Sequence, residues 1–103
     1  MRIGIVGGLD RAEARFERMA ASVGHEAVFH TGHVAGRGAK MLTDMVERCD
    51  LVVIVTDVNS HGAVQLTRRL LRSLGREPVL LRRCGTGRFA TLLNDLPPAS
   101  STR

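Results

Sequence analysis

Leu51-Val52-Val53-Ile54-Val55-Thr56, between Asp50 and Asp57, is the stretch that decides the fold. Five apolar residues run without a break, and four of them are β-branched. Such a run is short for a helix and shows no alternation. It reads as a strand over 51–56 buried on both faces, as in the centre of a parallel sheet.

The neighbouring segments extend that reading. Arg2-Ile3-Gly4-Ile5-Val6 is a second apolar β-branched run, interrupted by Gly7-Gly8, and it reads as a first strand. Spacing predicts a helix over 11–23 with Ala12, Phe16, Met19, Ala20 and Val23 on one face. Asp10 suits its N-cap, and Gly24 suits the position just past its end. Residues 26–30 form a short second strand. A glycine-rich loop, Thr31 to Gly38, leads to a helix over 39–49 with Leu42, Met45, Val46 and Cys49 inward. After the central strand, a helix over about 61–74 turns Ala63, Leu66, Leu70 and Leu74 inward, with Leu71 beside them. Asn59 or Ser60 caps it, and Gly75 ends it. Pro78 opens a fourth strand that runs to Arg82. Thr86 caps a last helix with Phe89, Leu92, Leu93 and Leu96 inward, and Pro97-Pro98 stop it.

Strand and helix therefore alternate four times. The fold class expected is α/β: a single doubly wound domain over 1–98, with 99–103 as a flexible tail. Its four-stranded parallel sheet has helices on both faces, and right-handed crossovers favour the strand order 2-1-3-4.

Composition narrows the function classes. The chain has 103 residues, of which 44% are hydrophobic and 24% charged, the balance of a globular domain. No apolar run approaches the ~18 residues of a membrane span, so no membrane partner is expected. Two cysteines make no disulfide framework. A cytoplasmic, reduced protein is the expectation. The net charge of +5 raises nucleic acid as a partner. Yet Trp and Tyr are absent, and the three Phe fit core positions. The Arg68–Arg76 cluster reads as a solvated helix face, and no specific nucleic-acid recognition is expected. The charge still favours anionic ligands.

In such sheets, ligands bind at the carboxyl ends of the strands, where the strand order switches. That rim gathers Gly7 and Gly8 from the first strand and His30, Thr31, Gly32 and His33 from the second. The third strand delivers Thr56, Asp57, Asn59, Ser60 and His61, and the fourth Arg83, Cys84, Gly85 and Thr86. Three of the four His fall there. Gly7-Gly8 either lets an anion approach backbone N–H groups or makes a tight turn. It matches neither a dinucleotide fingerprint nor a P-loop. His30 and His33 are either a solvated loop pair or, with His61 and Cys84, the makings of a zinc site. Asp57 follows the central strand as in a phosphorylated receiver domain, but that domain's other acidic and lysine residues have no counterparts. Cys84 beside Arg82 and Arg83 is either a small packed residue or a thiolate; Cys49 reads as packing. Ser60 caps a helix. His61, in the first turn beside Gly62, sits where the helix dipole disfavours the imidazolium and so favours the ligating form. No nucleophile is matched with a base by motif, so no catalytic residue is assigned and the chain is not expected to be an enzyme.

These residues resemble a known family. Ile-Val-Gly-Gly near the start, His-x-Gly after the second strand, the Asp-Leu-Val-Val-Ile-Val-Thr run with Ser-His-Gly-Ala beyond it, and a basic-x-Gly stretch after the fourth strand are similar to DUF2325. The likeness spans about residues 3–93. It implies a small bacterial α/β domain associated with haem binding, with His61 as the axial metal ligand and haem b as cofactor. His30, His33 or Cys84 then supplies a second axial ligand, or none does and the position is left for a gas, and Arg83, Arg37 or the Gly7-Gly8 backbone meets the propionates. A domain this small cannot enclose a macrocycle alone, so a homodimer completing a shallow cleft is expected. The implied role is a dioxygen- or redox-responsive sensor or a haem carrier. The alternative is an anion- or nucleotide-binding regulatory domain that uses Gly7, Gly8 and Ser60 without haem. A third reading is an interaction domain that regulates a partner and holds no cofactor.

Overall fold

A computed structural model describes residues 1–7, 13–56, 59–83 and 85–96. The elements are β1 (Arg2–Val6), α1 (Glu13–Ser22), β2 (Glu26–His30), α2 (Gly38–Arg48), β3 (Leu51–Val55), α3 (His61–Ser73), β4 (Val79–Leu81) and α4 (Thr86–Asp95). The strands form one parallel sheet in the order β2-β1-β3-β4. The unbroken apolar run of β3 does lie inside the sheet, as burial on both faces demands. Ile3 sits beside Ala27 and Leu51, and Val6 beside His30 and Ile54. This register brings the carboxyl ends of the strands to one rim. No helix among the described residues is long and apolar enough to cross a membrane.

Each face of the sheet has its own core. On one, Ile3, Ile5, Ala27, Val53 and Val55 pack against Phe16 and Ala20 of α1 and Phe89 and Leu93 of α4. The Phe16 ring centre lies 4.7 Å from that of Phe89 and 6.2 Å from that of Phe29, so all three aromatics serve this core. On the other face, Val6 and Val52 pack against Leu42, Val46 and Cys49 and against Ala63 and Leu71 of α3. The carboxyl-end switch between β1 and β3 follows, because α1 and α3 leave to opposite faces.

Four details of the sequence reading change. Val23, expected inward, lies beyond α1 and is half exposed, because Gly24 takes φ 81° there and the chain turns to bury His25 instead. Leu74, expected on the inner face of α3, is the C-cap residue and is 46% exposed. The fully buried strip of α3 is Ala63, Thr67 and Leu71, with Leu66 and Leu70 half-buried beside it. Thr67 tolerates burial because its hydroxyl donates to the Ala63 carbonyl at 2.7 Å. Finally, Gly85 and not Thr86 occupies the N-cap of α4, and no side chain caps it. The expected cap Asp10, helix residues 11 and 12, Gly8, Asp57, Cys84 and the tail lie outside the described residues.

Two groups at the amino pole are buried and shifted. His25 lies 3.1 Å from the Met1 amino nitrogen, and burial, then that ammonium, lowers its pKa. Burial pushes the Cys49 thiol up to about 11. Its sulfur also sets the packing of β1: a Cβ on Gly4 would stand 2.9 Å from Cys49 Sγ and 3.2 Å from Met45 Cε.

Two outcomes follow. Gly4→Ala should destabilise the fold by about 1–3 kcal/mol through overpacking. Cys49→Ala in the same chain should recover part of that loss in a urea-unfolding double-mutant cycle. Between about pH 9 and 11 the unfolded chain has released the Cys49 proton and the folded chain has not, so stability should fall as pH rises through that window. The chain has no Tyr and a single lysine, Lys40, so few other groups titrate there. Cys49→Ala should flatten the decline of the urea midpoint over this range.

Candidate functional site at the carboxyl rim

The rim is built around Asn59, between β3 and α3. Its side-chain amide donates to the Val6 carbonyl at 3.1 Å and to the Val55 carbonyl at 2.9 Å. These are the last residues of β1 and β3, the strands that part at the switch. Asn59 Oδ1 accepts the Ser60 N–H at 2.9 Å. Ser60 in turn caps α3, its hydroxyl accepting the Ala63 N–H at 3.0 Å and donating to the Gly32 carbonyl at 2.5 Å. Two consecutive side chains thus fasten β1, β3, α3 and the β2–α2 loop together.

That loop is shaped by glycines and by His30. Gly32 is buried with φ 96°, and a Cβ there would strike Asn59 Oδ1. A Cβ on Gly38 would strike the His33 carbonyl, and one on Gly62 would press to 3.2 Å on Val34. The loop therefore lies directly against the first turn of α3. His30 is 8% exposed, not a solvated loop residue. Its Nε2 is 2.9 Å from the Gly38 carbonyl, and its Nδ1 is 3.0 Å from the Gly32 N–H. The carbonyl can only accept and the N–H can only donate, so Nε2 carries the proton and the ring is the neutral tautomer. Both nitrogens are engaged within the fold, which removes His30 from the candidate axial ligands.

The other expected residues divide as follows. Gly7, with φ 91°, donates its N–H to the His30 carbonyl at 2.7 Å, so the turn reading holds for it. His61 opens α3, is exposed, and its ring makes no hydrogen bond among the described residues. His33 is exposed on the loop that meets α3, and Arg37 and Arg83 are exposed. Gly8 and Cys84 lie outside the described residues. Among the described residues, no three His, Cys, Asp or Glu side chains converge as a metal-holding group, so His30, His33 and His61 do not assemble the zinc site considered from sequence. From sequence, Asn59 is a possible cap and one of the residues at the rim, with no tie to β1 implied. Its position directly before Ser60 was the visible signal, but its bond to β1 spans 53 residues and is a tertiary fact.

A doubly wound α/β domain with an exposed histidine at its switch rim is the class defined by fold and site. The chain belongs to the DUF2325 family, described as "Uncharacterized protein conserved in bacteria", whose profile matches residues 2–96. No curated protein and no solved structure matches it.

Asn59→Ala should cost about 2–4 kcal/mol in urea unfolding, because two carbonyls lose their donor together. Asn59→Asp should cost more still at neutral pH, since a carboxylate would face both carbonyl oxygens.

Proposed function

We propose that the carboxyl rim binds haem b through His61, in a small sensor of dioxygen or redox state or in a haem carrier. One observation carries this reading. His61 is an exposed imidazole without a hydrogen bond of its own among the described residues, held on backbone that Asn59 and Ser60 fasten to two strands and a loop. The donor set fits. An axial position needs one accessible ring nitrogen, and His61 offers it. His33 stands on the adjoining loop, Val34 supplies apolar surface beside Gly62, and Arg37 and Arg83 carry the charge that propionates require. When bound, haem supplies reversible iron oxidation and dioxygen binding. The chain's own contribution is to aim the imidazole and to resist its displacement, because any shift of His61 strains the Asn59 and Ser60 bonds.

A domain this small cannot enclose a macrocycle alone, which supports a site completed by a second copy of the chain and hence a homodimer. The alternative anion or nucleotide site has less support. The Gly7 N–H and the Ser60 hydroxyl, on which it relies, are already hydrogen-bonded within the fold.

Protein expressed with haem supply should show a Soret band, with little protein absorbance at about 280 nm because Trp and Tyr are absent. His61→Ala should abolish or shift the band, while His33→Ala should alter it only if His33 is the second ligand. An unchanged band in His61→Ala overturns the assignment. A ratio of one haem to two chains would mark the shared cleft.

A further inference from the structure

The net charge of the chain is not spread over the molecule. Residues 1–56 hold seven basic and seven acidic side chains, whereas residues 57–103 hold eight basic and three acidic. The whole excess of +5 therefore belongs to the part of the chain that forms α3, β4 and α4. The strand order β2-β1-β3-β4 turns this sequence asymmetry into a spatial one, because β4 is the edge strand and α3 is the crossover that leads to it. We propose that the flank formed by α3 and β4 binds the phosphate backbone of a double-stranded nucleic acid without reading its sequence.

Helix α3 carries the centre of this surface. It contains no acidic residue, and Arg68, Arg69 and Arg72 are exposed on the side opposite its buried Ala63-Thr67-Leu71 strip. Arg72 is the i+4 neighbour of Arg68 and the i+3 neighbour of Arg69, spacings that set Cβ atoms about 6 Å apart on a helix surface. None of the three has an ion-pair partner among the described residues, where Arg2–Glu26 and Lys40–Asp44 are paired. Arg82 and Arg83 follow β4 and are also exposed. The residue type matters as well as the charge. Guanidinium forks bind phosphate oxygens in pairs, which a lysine ammonium does not.

The same surface argues for a duplex backbone over other polyanions. Single-strand binders stack bases on aromatic side chains. Here Phe16 and Phe89 are buried, and Phe29 packs against Phe16. Insertion into an anionic membrane needs an apolar outer face on a helix. The exposed side chains of α3 are His61, Gln65, Arg68, Arg69, Arg72 and Ser73, none of them large and apolar. No helix face with side chains suited to base edges is required, because phosphate contacts position a duplex without specifying its sequence. Arg68, Arg69 and Arg72 lie about two to three turns along α3 from His61, and the inference does not depend on haem.

Fluorescence anisotropy on the full chain tests it, with labelled duplexes of about 20 base pairs in DNA and RNA form at about 50 mM salt. Binding to at least one duplex is expected, and the tighter of the two names the partner. Three phosphate contacts predict a slope of log K against log salt of about −2.7 or steeper. The triple variant R68E/R69E/R72E should weaken binding about tenfold or more. R15E/R18E/R48E, which makes the same charge change on exposed positions of α1 and α2, should weaken it less than about threefold. R68Q/R69Q/R72Q, which removes charge without reversing it, keeps the test valid if the reversed variant does not fold. The proposal is overturned by failure of both duplexes to bind, by equal losses in the two triple-reversal variants, by tighter binding of the single strand, or by polyglutamate competing as well as the duplex.

Discussion

The side-chain amide of Asn59 is the contact on which the working end of this molecule depends. In a doubly wound sheet the chain leaves neighbouring strands toward opposite faces, and the strand ends at that point run out of backbone partners. Val6 and Val55 are those ends. Two N–H groups on one side chain satisfy both carbonyls at 3.1 and 2.9 Å and so hold β1 and β3 together where topology would let them part. A hydroxyl or a carboxylate at this position has too few donors for the task.

Everything at the rim is then referred to that bridge. Ser60, fixed by Asn59 Oδ1, both caps α3 and holds the β2–α2 loop through Gly32. His30 holds the same loop from the other side through Gly32 and Gly38. Gly32 and Gly62 lie where the loop meets Asn59 and α3, and Gly38 where the loop folds back on the His33 carbonyl, so none of the three can take a Cβ without a clash or a tight contact. The cost of so many glycines is conformational entropy, and the side-chain hydrogen bonds around them offset part of it. The result is a rigid seat on which His61 alone of the linked residues faces outward.

The molecule thus presents two surfaces of different chemistry. At the carboxyl rim, one imidazole stands free on a fixed backbone. Along the α3–β4 flank, guanidinium groups stand on a helix that itself contains no acidic residue. The division arises because the chain's charge asymmetry falls between β3 and α3, the same boundary at which Asn59 ties the two parts together. A ligand on the rim and a polyanion on the flank would both press on α3, whose first turn carries His61 and whose middle carries Arg68, Arg69 and Arg72.

The alternation of strands and helices, the parallel sheet and its order were legible from the sequence. Apolar runs and helical spacing are local properties, and burial on both sides of Leu51–Val55 has few solutions in a chain of this length. The sequence also placed Gly7, His33, Ser60 and His61 at one rim, since that needs only strand ends and connectivity. It could not divide their duties. Whether a histidine is a free imidazole or a hydrogen-bonded brace depends on what the fold carries to its two nitrogens. For His30 those partners are backbone groups at Gly32 and Gly38, met only once the loop has closed. The same holds for Asn59, whose partner on β1 lies 53 residues away. Periodicity is written along the chain, but hydrogen-bond partners are assigned across it, and only the packed tertiary structure makes that assignment.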